Sequence, residues 1–375
     1  MKQIHIQIVG SNYDLALNLK ADDKINWKVI LNMTIMNKFK TYLLLTLLAC
    51  LSMACEESEN DMEQEDSSCS FEIVNENASF LNRDNHSSVF FQNKFWVVGG
   101  EKEVSGEFPQ LTNDVWYSED GVNWNLATDN AQFEQRWKSE MIVFDNKMWL
   151  FGGFGYLDGT TSPFKVLTDV WNSVDGITWN LVETNLPSNV TIGNIVVHNN
   201  RIFNLYQSDN SLLGVEVFNW YSDDGIIWNS IELSDNYPKK SFRTATSFNG
   251  KIWLIGGRGL PTPNDVLIVS WNDVWSSSDA VNWNQEVTSA EFSIRHNHRV
   301  AVYNNKLWLS GGDSTDTVDS KSDVWYSDDG ITWNLECDEA FIGRSEHTMI
   351  SSNNKLFVIG GSDGGFSFAD VLSFQ

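Results

Sequence analysis

Positive charge is scarce in this chain. Its 25 Lys and Arg face 50 Asp and Glu, for a formal charge of -25 at pH 7. A long-range field of that sign repels a phosphate backbone, which excludes nucleic acid as a partner, and it disfavours an anionic bilayer for the same reason. Hydrophobic length is also lacking, because the apolar run from Tyr42 to Leu51 is too short to cross a bilayer as a stable helix. Cysteine is sparse, at four residues. With so few cations, the ones that cluster carry the information.

Apolar and aromatic residues are plentiful. Hydrophobic residues make up 42% of the chain and aromatics 13%, enough for a large core in one closed all-β domain of most of this length. Seventeen tryptophans demand a structural explanation.

The N-terminal part reads as export and tethering. Met36, Lys38 and Lys40 open a basic start, the apolar run follows, and Ala54 precedes Cys55. Residues 36–54 resemble a bacterial lipoprotein signal, which implies acylation of Cys55 after cleavage. Leu47-Leu48-Ala49-Cys50 offers an alternative lipobox. Residues 55–68, with Glu56, Glu57, Glu59, Asp61, Glu63, Glu65 and Asp66, have nothing to bury and read as an acidic flexible tether. Such starts resemble the export tethers of surface lipoproteins in Gram-negative bacteria. That resemblance implies the outer face of the outer membrane, with a periplasm-facing location as the alternative and membrane contact through the lipid only. Residues 1–35 lie upstream of an otherwise complete signal and read as a mis-assigned extension. Cys69 and Cys337 remain in the globular part, where their places in the repeat do not put them side by side.

Residues 69–375 are internally repetitive. Phe95-Trp96-Val97-Val98-Gly99-Gly100 recurs at Trp149 to Gly153, Trp253 to Gly257, Trp308 to Gly312 and Phe357 to Gly361, and Phe203 to Gln207 is a copy without glycines. Asp-Val-Trp follows at 114–116, 169–171, 273–275 and 323–325, and a truncated copy at 370–372 ends in Leu. A second Trp stands eight residues past the first in five copies, as in Trp116 and Trp124. Between them Ser118 and Asp120, with counterparts in every pair, mark a tight hairpin in which the carboxylate accepts turn amides, so the Asp is structural. Each unit reads as four strands, A to D, with B buried on both faces.

This pattern resembles the kelch family, and the Ser-x-Asp-Gly-x-x-Trp hairpin resembles a shortened Asp-box. The resemblance implies an all-β fold, a six-bladed β-propeller of four-stranded antiparallel blades. The last copy ends after strand C, and Phe71 lies nine residues before Phe80 as Trp124 lies nine before Phe133. An N-terminal strand therefore completes the last blade and pairs an otherwise open edge. The tryptophans belong mainly to strands B, C and D.

In such propellers strand A lines a central channel. Sixteen positions before the first Gly of each pair stand Arg83, Arg136, Val190, Lys240, Arg295 and Arg344, and three positions further His86, Ser139, Gly193, Arg243, His298 and His347. Two basic rings are expected at the channel mouth, where they would focus positive potential and draw an anion. The competing reading makes each Arg a tie to backbone carbonyls of its neighbourhood. Trp137, without a repeat counterpart, is placed beside them to stack on a ligand or to cover an apolar edge. Convergence of three His on a metal is unproved, and Asp313, Asp316, Asp319 and Asp323 do not match an EF-hand, so neither metal nor cofactor is expected.

The favoured reading is a monomeric, non-catalytic surface lipoprotein that binds an anionic glycan or an acidic peptide. An enzyme on the same fold is the alternative. The Arg-Ile-Pro motif of sialidases is absent, since Phe203 follows Arg201-Ile202, and Cys69 and Cys337 lie in or beside outer strands, away from any copper-oxidase crosslink. A sialic-acid mutarotase asks only for an Arg and an acid in the channel, which Arg344 and Glu346 would supply. A structural or adhesion protein using the bottom hairpins is the third reading.

Overall fold

The computed structural model describes residues 71–375, apart from 104–109, 157–163, 189, 191, 206–217, 262–264, 266 and 353, together with three strands upstream. Those strands, Ile6–Ile8, Leu15–Lys20 and Asn26–Leu31, pair antiparallel in chain order within a separate N-terminal unit. The signal segment, Cys55, the acidic tether and Cys69 lie outside the described residues. Among the described residues no helix is long and apolar enough to cross a membrane.

Six four-stranded antiparallel sheets carry the repeat. The first runs from the inside outwards through Ser87–Phe91, Lys94–Val98, Val115–Ser118 and Asn125–Thr128. Four more follow the same order within 140–182, 195–232, 244–287 and 299–337. The sixth, Thr348–Ser352, Lys355–Ile359 and Val371–Phe374, takes its fourth strand, Glu72–Asn75, from the other end of the domain. The innermost strands touch in sequence, and Thr348–Ser352 also touches Ser87–Phe91.

Local chemistry explains each turn of this repeat. The A to B hairpins are two-residue turns with both φ positive, at Gln92-Asn93, Asp145-Asn146, Asn199-Asn200 and Asn304-Asn305, the left-handed geometry that Asn tolerates best. In the C to D hairpin the Ser118 hydroxyl accepts the Gly121 N–H at 2.9 Å, and Asp120 accepts the N–H groups of Val122 and Asn123, each at 2.8 Å. Slight burial opposes ionisation of Asp120, but these bonds outweigh it and hold the carboxyl down at about 2. Glycine is required here by packing as well. A Cβ on Gly176, whose φ is +74°, would sit 2.0 Å from the Trp96 ring of the neighbouring sheet.

Strand B is apolar on both faces because it is sandwiched: Phe95, Val97 and Val98 are wholly buried. The strand-D tryptophans are buried too, and Trp124, Trp179, Trp228 and Trp283 turn the indole N–H to a hairpin carbonyl, as Trp124 does to Gly121 O at 2.9 Å, whereas Trp333 Nε1 is buried without a partner. The tryptophan wealth is therefore accounted for by the scaffold.

Cys337 is buried and disulfide-bonded. The expectation that the two late cysteines stand apart fails on the Cys337 side, although the candidate partner Cys69 lies outside the described residues. Cys337 ends the fourth strand of the fifth sheet, whose first strand touches that of the last sheet, and the last sheet takes its fourth strand from the N-terminal end. Phe71, at its start, stacks on Phe374 at 5.0 Å and packs against the cluster that holds Cys337. Replacing Cys337 with Ser should lower stability by about 2–4 kcal/mol, read as a shift in thermal or urea midpoint under oxidising conditions. An unchanged midpoint would show that the bond contributes nothing.

Candidate functional site

The predicted basic ring is not at the channel surface. Arg83, Arg136, Arg295 and Arg344 are 0–1% exposed, and each grips the Asp that opens strand C of its own sheet. Arg295 donates from Nη1 and Nη2 to Asp323 at 2.7 Å each, from Nη1 to Gly311 O at 2.9 Å and from Nε to Ser293 O at 3.0 Å. Trp325 Nε1 completes the group by donating to Asp323 at 2.7 Å. Burial works against ionisation of Asp323, and the Arg295 bonds and charge outweigh it, so the carboxyl titrates below its ordinary range. Arg, Gly-Gly and Asp-x-Trp are thus one interlocked unit.

Lys240 keeps only part of this lock. It pairs with Asp273, and its Nζ sits 4.1 Å from the Trp271 ring centre, but the second carboxylate oxygen of Asp273 is buried without a partner. A lysine has no planar fork with which to reach both oxygens and the Gly carbonyl.

One step further along the repeat lies the true channel lining. Twelve positions before the first Gly, or its equivalent, stand Ser87, Glu140, Asn194, Thr244, Arg299 and Thr348, and all six face a single cavity of 190 Å³. Fourteen positions before it stand Asn85, Lys138, Ile192, Phe242, Asn297 and Glu346, and all six face a second cavity of 280 Å³. Ser139, Glu140, Arg243 and Arg299 border both, so the two adjoin.

A kelch-motif model matches residues 343–375. The solved structure of YjhT aligns with a TM-score of 0.60 at 14% identity, over 80% of this chain and 96% of that one. The fold is a kelch-type β-propeller. No curated protein matches the chain. A propeller of this kind suggests a binding or enzymatic module, and the site must decide between them.

The second predicted ring divides. Arg243 does reach the channel, buried, with Nη2 donating to Tyr237 Oη at 3.2 Å. The histidines are wedged between blades, although His86 also borders the 190 Å³ cavity. His86 Nε2 is 3.0 Å from Thr348 Oγ1 and His347 Nε2 is 2.8 Å from Ser310 Oγ. A Cβ on Gly256, Gly311 or Gly360 would meet His298, His347 or His86 within 3.0 Å, so in these three pairs the first Gly makes room for the next blade's imidazole. Burial, with the nearby arginines, drives His86 down to about 3 and holds His298 and His347 well below their ordinary range. They are neutral packing groups at pH 7. Trp137 lies at the rim, bridged to Phe154 and packed against Phe154 and Phe164, with Lys138 Nζ 5.2 Å from its ring centre.

The ring twelve positions before the first Gly carries two charges of opposite sign. Arg299 donates from Nε to His347 O at 2.7 Å and borders both cavities with its guanidinium. Glu140 stands at the same repeat position three blades away in sequence, and burial pushes its carboxyl up against the opposing influence of Arg299. Neither residue was among the expected ones. The signal was present as two charges in a ring otherwise made of Ser, Asn and Thr.

Over the mouth lies a polar bar. Glu346 accepts from Lys138 at 2.8 Å, from Asn85 at 2.9 Å and from Asn297 at 3.3 Å. Arg344 is spent on Asp370, so Arg344 and Glu346 do not form the acid and base pair expected of a mutarotase. Beside the bar, burial raises Asp84 to about 6 and Glu101 to about 7, with the charge of Glu346 adding to both and Lys138 opposing.

Two outcomes follow. Arg295→Ala leaves the Asp323 carboxylate buried without its partner and should cost about 3–5 kcal/mol, whereas Lys240→Arg should raise stability by about 1 kcal/mol by engaging both oxygens of Asp273. Denaturant melts measure both, and equal tolerance of the two would refute the lock. Because Asp84 and Glu101 are harder to ionise folded than unfolded, their contribution to stability is fullest at or below about pH 4 and declines as pH rises to about 7. Glu101→Gln should flatten that decline between pH 5 and 8 in thermal melts.

Proposed function

We propose that this propeller is a binding module for an anionic ligand, an acidic glycan end or an acidic peptide group, held in the channel at Arg299. The observation that carries the reading is the contrast among its arginines. Four are held by their own Asp and by backbone carbonyls, while Arg299 donates from Nε to one carbonyl and borders both cavities. Arg243 on the same wall adds positive charge, and the polar ring of Ser87, Asn194, Thr244 and Thr348 supplies hydrogen-bonding groups for the rest of a polar ligand. A guanidinium in a narrow, partly dry channel favours carboxylate through paired donors.

The six sheets are read as one closed ring of six blades sealed by the N-terminal strand. Support comes from the pairing of Val371–Phe374 with Glu72–Asn75 and from Gly361 N–H donating to Arg83 O at 3.0 Å. Export as a lipoprotein acylated at Cys55 and display at the outer membrane complete the proposal, on the sequence signals given above. A monomer suffices for such a role.

A second reading, a mutarotase-like or other carbohydrate-active enzyme, is favoured by Glu140 and Arg299 bordering one cavity. A carboxyl with a raised pKa beside a fixed cation is suited to moving a proton on a bound acid sugar.

Arg299→Ala should weaken binding of a carboxylate ligand about tenfold or more with little change in melting temperature. Calorimetry against anionic and neutral glycans and acidic peptides measures this, and neutral ligands binding equally well would end the anion reading. Anomer exchange of sialic acid followed by NMR, lost in Glu140→Gln, would instead establish the enzyme. For the ring, deletion of residues 69–80 should open the seam and lower the melting temperature, and an unchanged melt would argue against closure.

A further inference from the structure

The two charges of the lining ring stand on opposite walls. Around the channel the innermost strands follow in the order Ser87–Phe91, Glu140–Phe144, Ile195–His198, Thr244–Phe248, Arg299–Tyr303 and Thr348–Ser352, each touching the next and the last touching the first. Two strands therefore separate Glu140 from Arg299 on either side. Both residues border both cavities.

Neither charge is neutralised by direct contact. Among the described residues Arg299 makes one side-chain hydrogen bond, from Nε to His347 O at 2.7 Å, and neither it nor Glu140 forms an ion pair within 4.0 Å. The neighbouring groups are engaged elsewhere. Lys138 pairs with Glu346 at 2.8 Å, Arg243 donates to Tyr237 Oη at 3.2 Å, and the hydroxyls of Ser87, Thr244 and Thr348 bond Ser139, His298 and His86. Burial raises the Glu140 carboxyl above its ordinary range, and Arg299 opposes this only in part, so the ionised form is short of a cation.

The two walls make different demands on a ligand. A lone carboxylate pairs with Arg299 but meets Glu140 as a like charge unless Glu140 takes up a proton. A lone amine has the converse problem at Arg299. A molecule carrying both groups gives each buried charge its partner, the condition under which such pairs are strong. The inner cavity of 190 Å³ holds the volume of about six waters, so the chain joining the two groups is short.

We infer that the channel takes a small zwitterion of the amino-acid class, with its carboxylate at Arg299 and its ammonium at Glu140. This rests on the reading of Arg299 as the anchor of a ligand carboxylate and adds the second anchor on the facing wall.

The test is calorimetry on the full chain with glycine, 4-aminobutyrate, 6-aminohexanoate, butyrate, butylamine, glutarate and D-glucuronate. The best of the three amino acids should bind at least about tenfold more tightly than any of the other four, and the preferred length measures the gap between the two charges. Glu140→Gln should reduce its affinity to that of butyrate, and Arg299→Ala to that of butylamine. Glu140→Lys, which puts a cation on both walls, should reverse the preference from 4-aminobutyrate to glutarate, an outcome that a misfolded variant does not give. Butyrate or glucuronate binding as tightly as the best amino acid, or an amino-acid advantage that survives Glu140→Gln, overturns this inference, and loss of that binding in Arg299→Ala leaves the anion reading standing. If no acid binds, both fall.

Discussion

Four blades of this propeller hang on one buried contact, the fork of an Arg across both oxygens of an Asp. The pair joins the segment before strand A to the start of strand C, and the same guanidinium reaches the first Gly carbonyl at the end of strand B. Three separate stretches of sequence are thereby fixed to one plane. The contact stabilises only as a complete set, because a buried ion left without its partner costs several kcal/mol. That requirement explains the third blade, where the Arg position is Val190, the Asp position is Phe218 and the Gly-Gly is gone. Both charged partners are absent together, and Trp228 and Ile202 still bury the blade against its neighbours.

Losing the lock in one blade has consequences for the channel. In a ring of identical blades the lining would repeat. Here the outer cavity is bordered by the polar Asn85, Lys138, Asn297 and Glu346 and also by the apolar Phe154, Val166 and Ile192. Asymmetry of the site therefore comes from decay of the repeat in one blade and from two charged substitutions, Glu140 and Arg299, in the ring of lining residues. The rest of the aromatic and acidic wealth serves packing and turns.

Much of the fold was legible because it is periodic. The Gly-Gly ends, the paired tryptophans and the Ser-x-Asp hairpins each report a local backbone need, and each was found in the place expected of it. The candidate site was less legible, for a physical reason. A cation at a repeated position looks the same in sequence whether it is saturated by a carboxylate or borders a channel, and Arg295 and Arg299 lie only four residues apart. The decisive partner, Asp323, is 28 residues from Arg295. The histidines misled in the same way, since their neutrality follows from burial between blades. Departure from the repeat was the better guide: Glu140 and Arg299 stand out among Ser, Asn and Thr.

The central claim is that one class of arginine builds the scaffold and Arg299 alone among these five meets the ligand. A crystal structure of the propeller soaked with a small carboxylate such as D-glucuronate tests it most directly. The account predicts the carboxylate on the Arg299 guanidinium, with Arg83, Arg136, Arg295 and Arg344 still forked onto Asp114, Asp169, Asp323 and Asp370. A carboxylate seated on any of those four, with its Asp displaced, would contradict it.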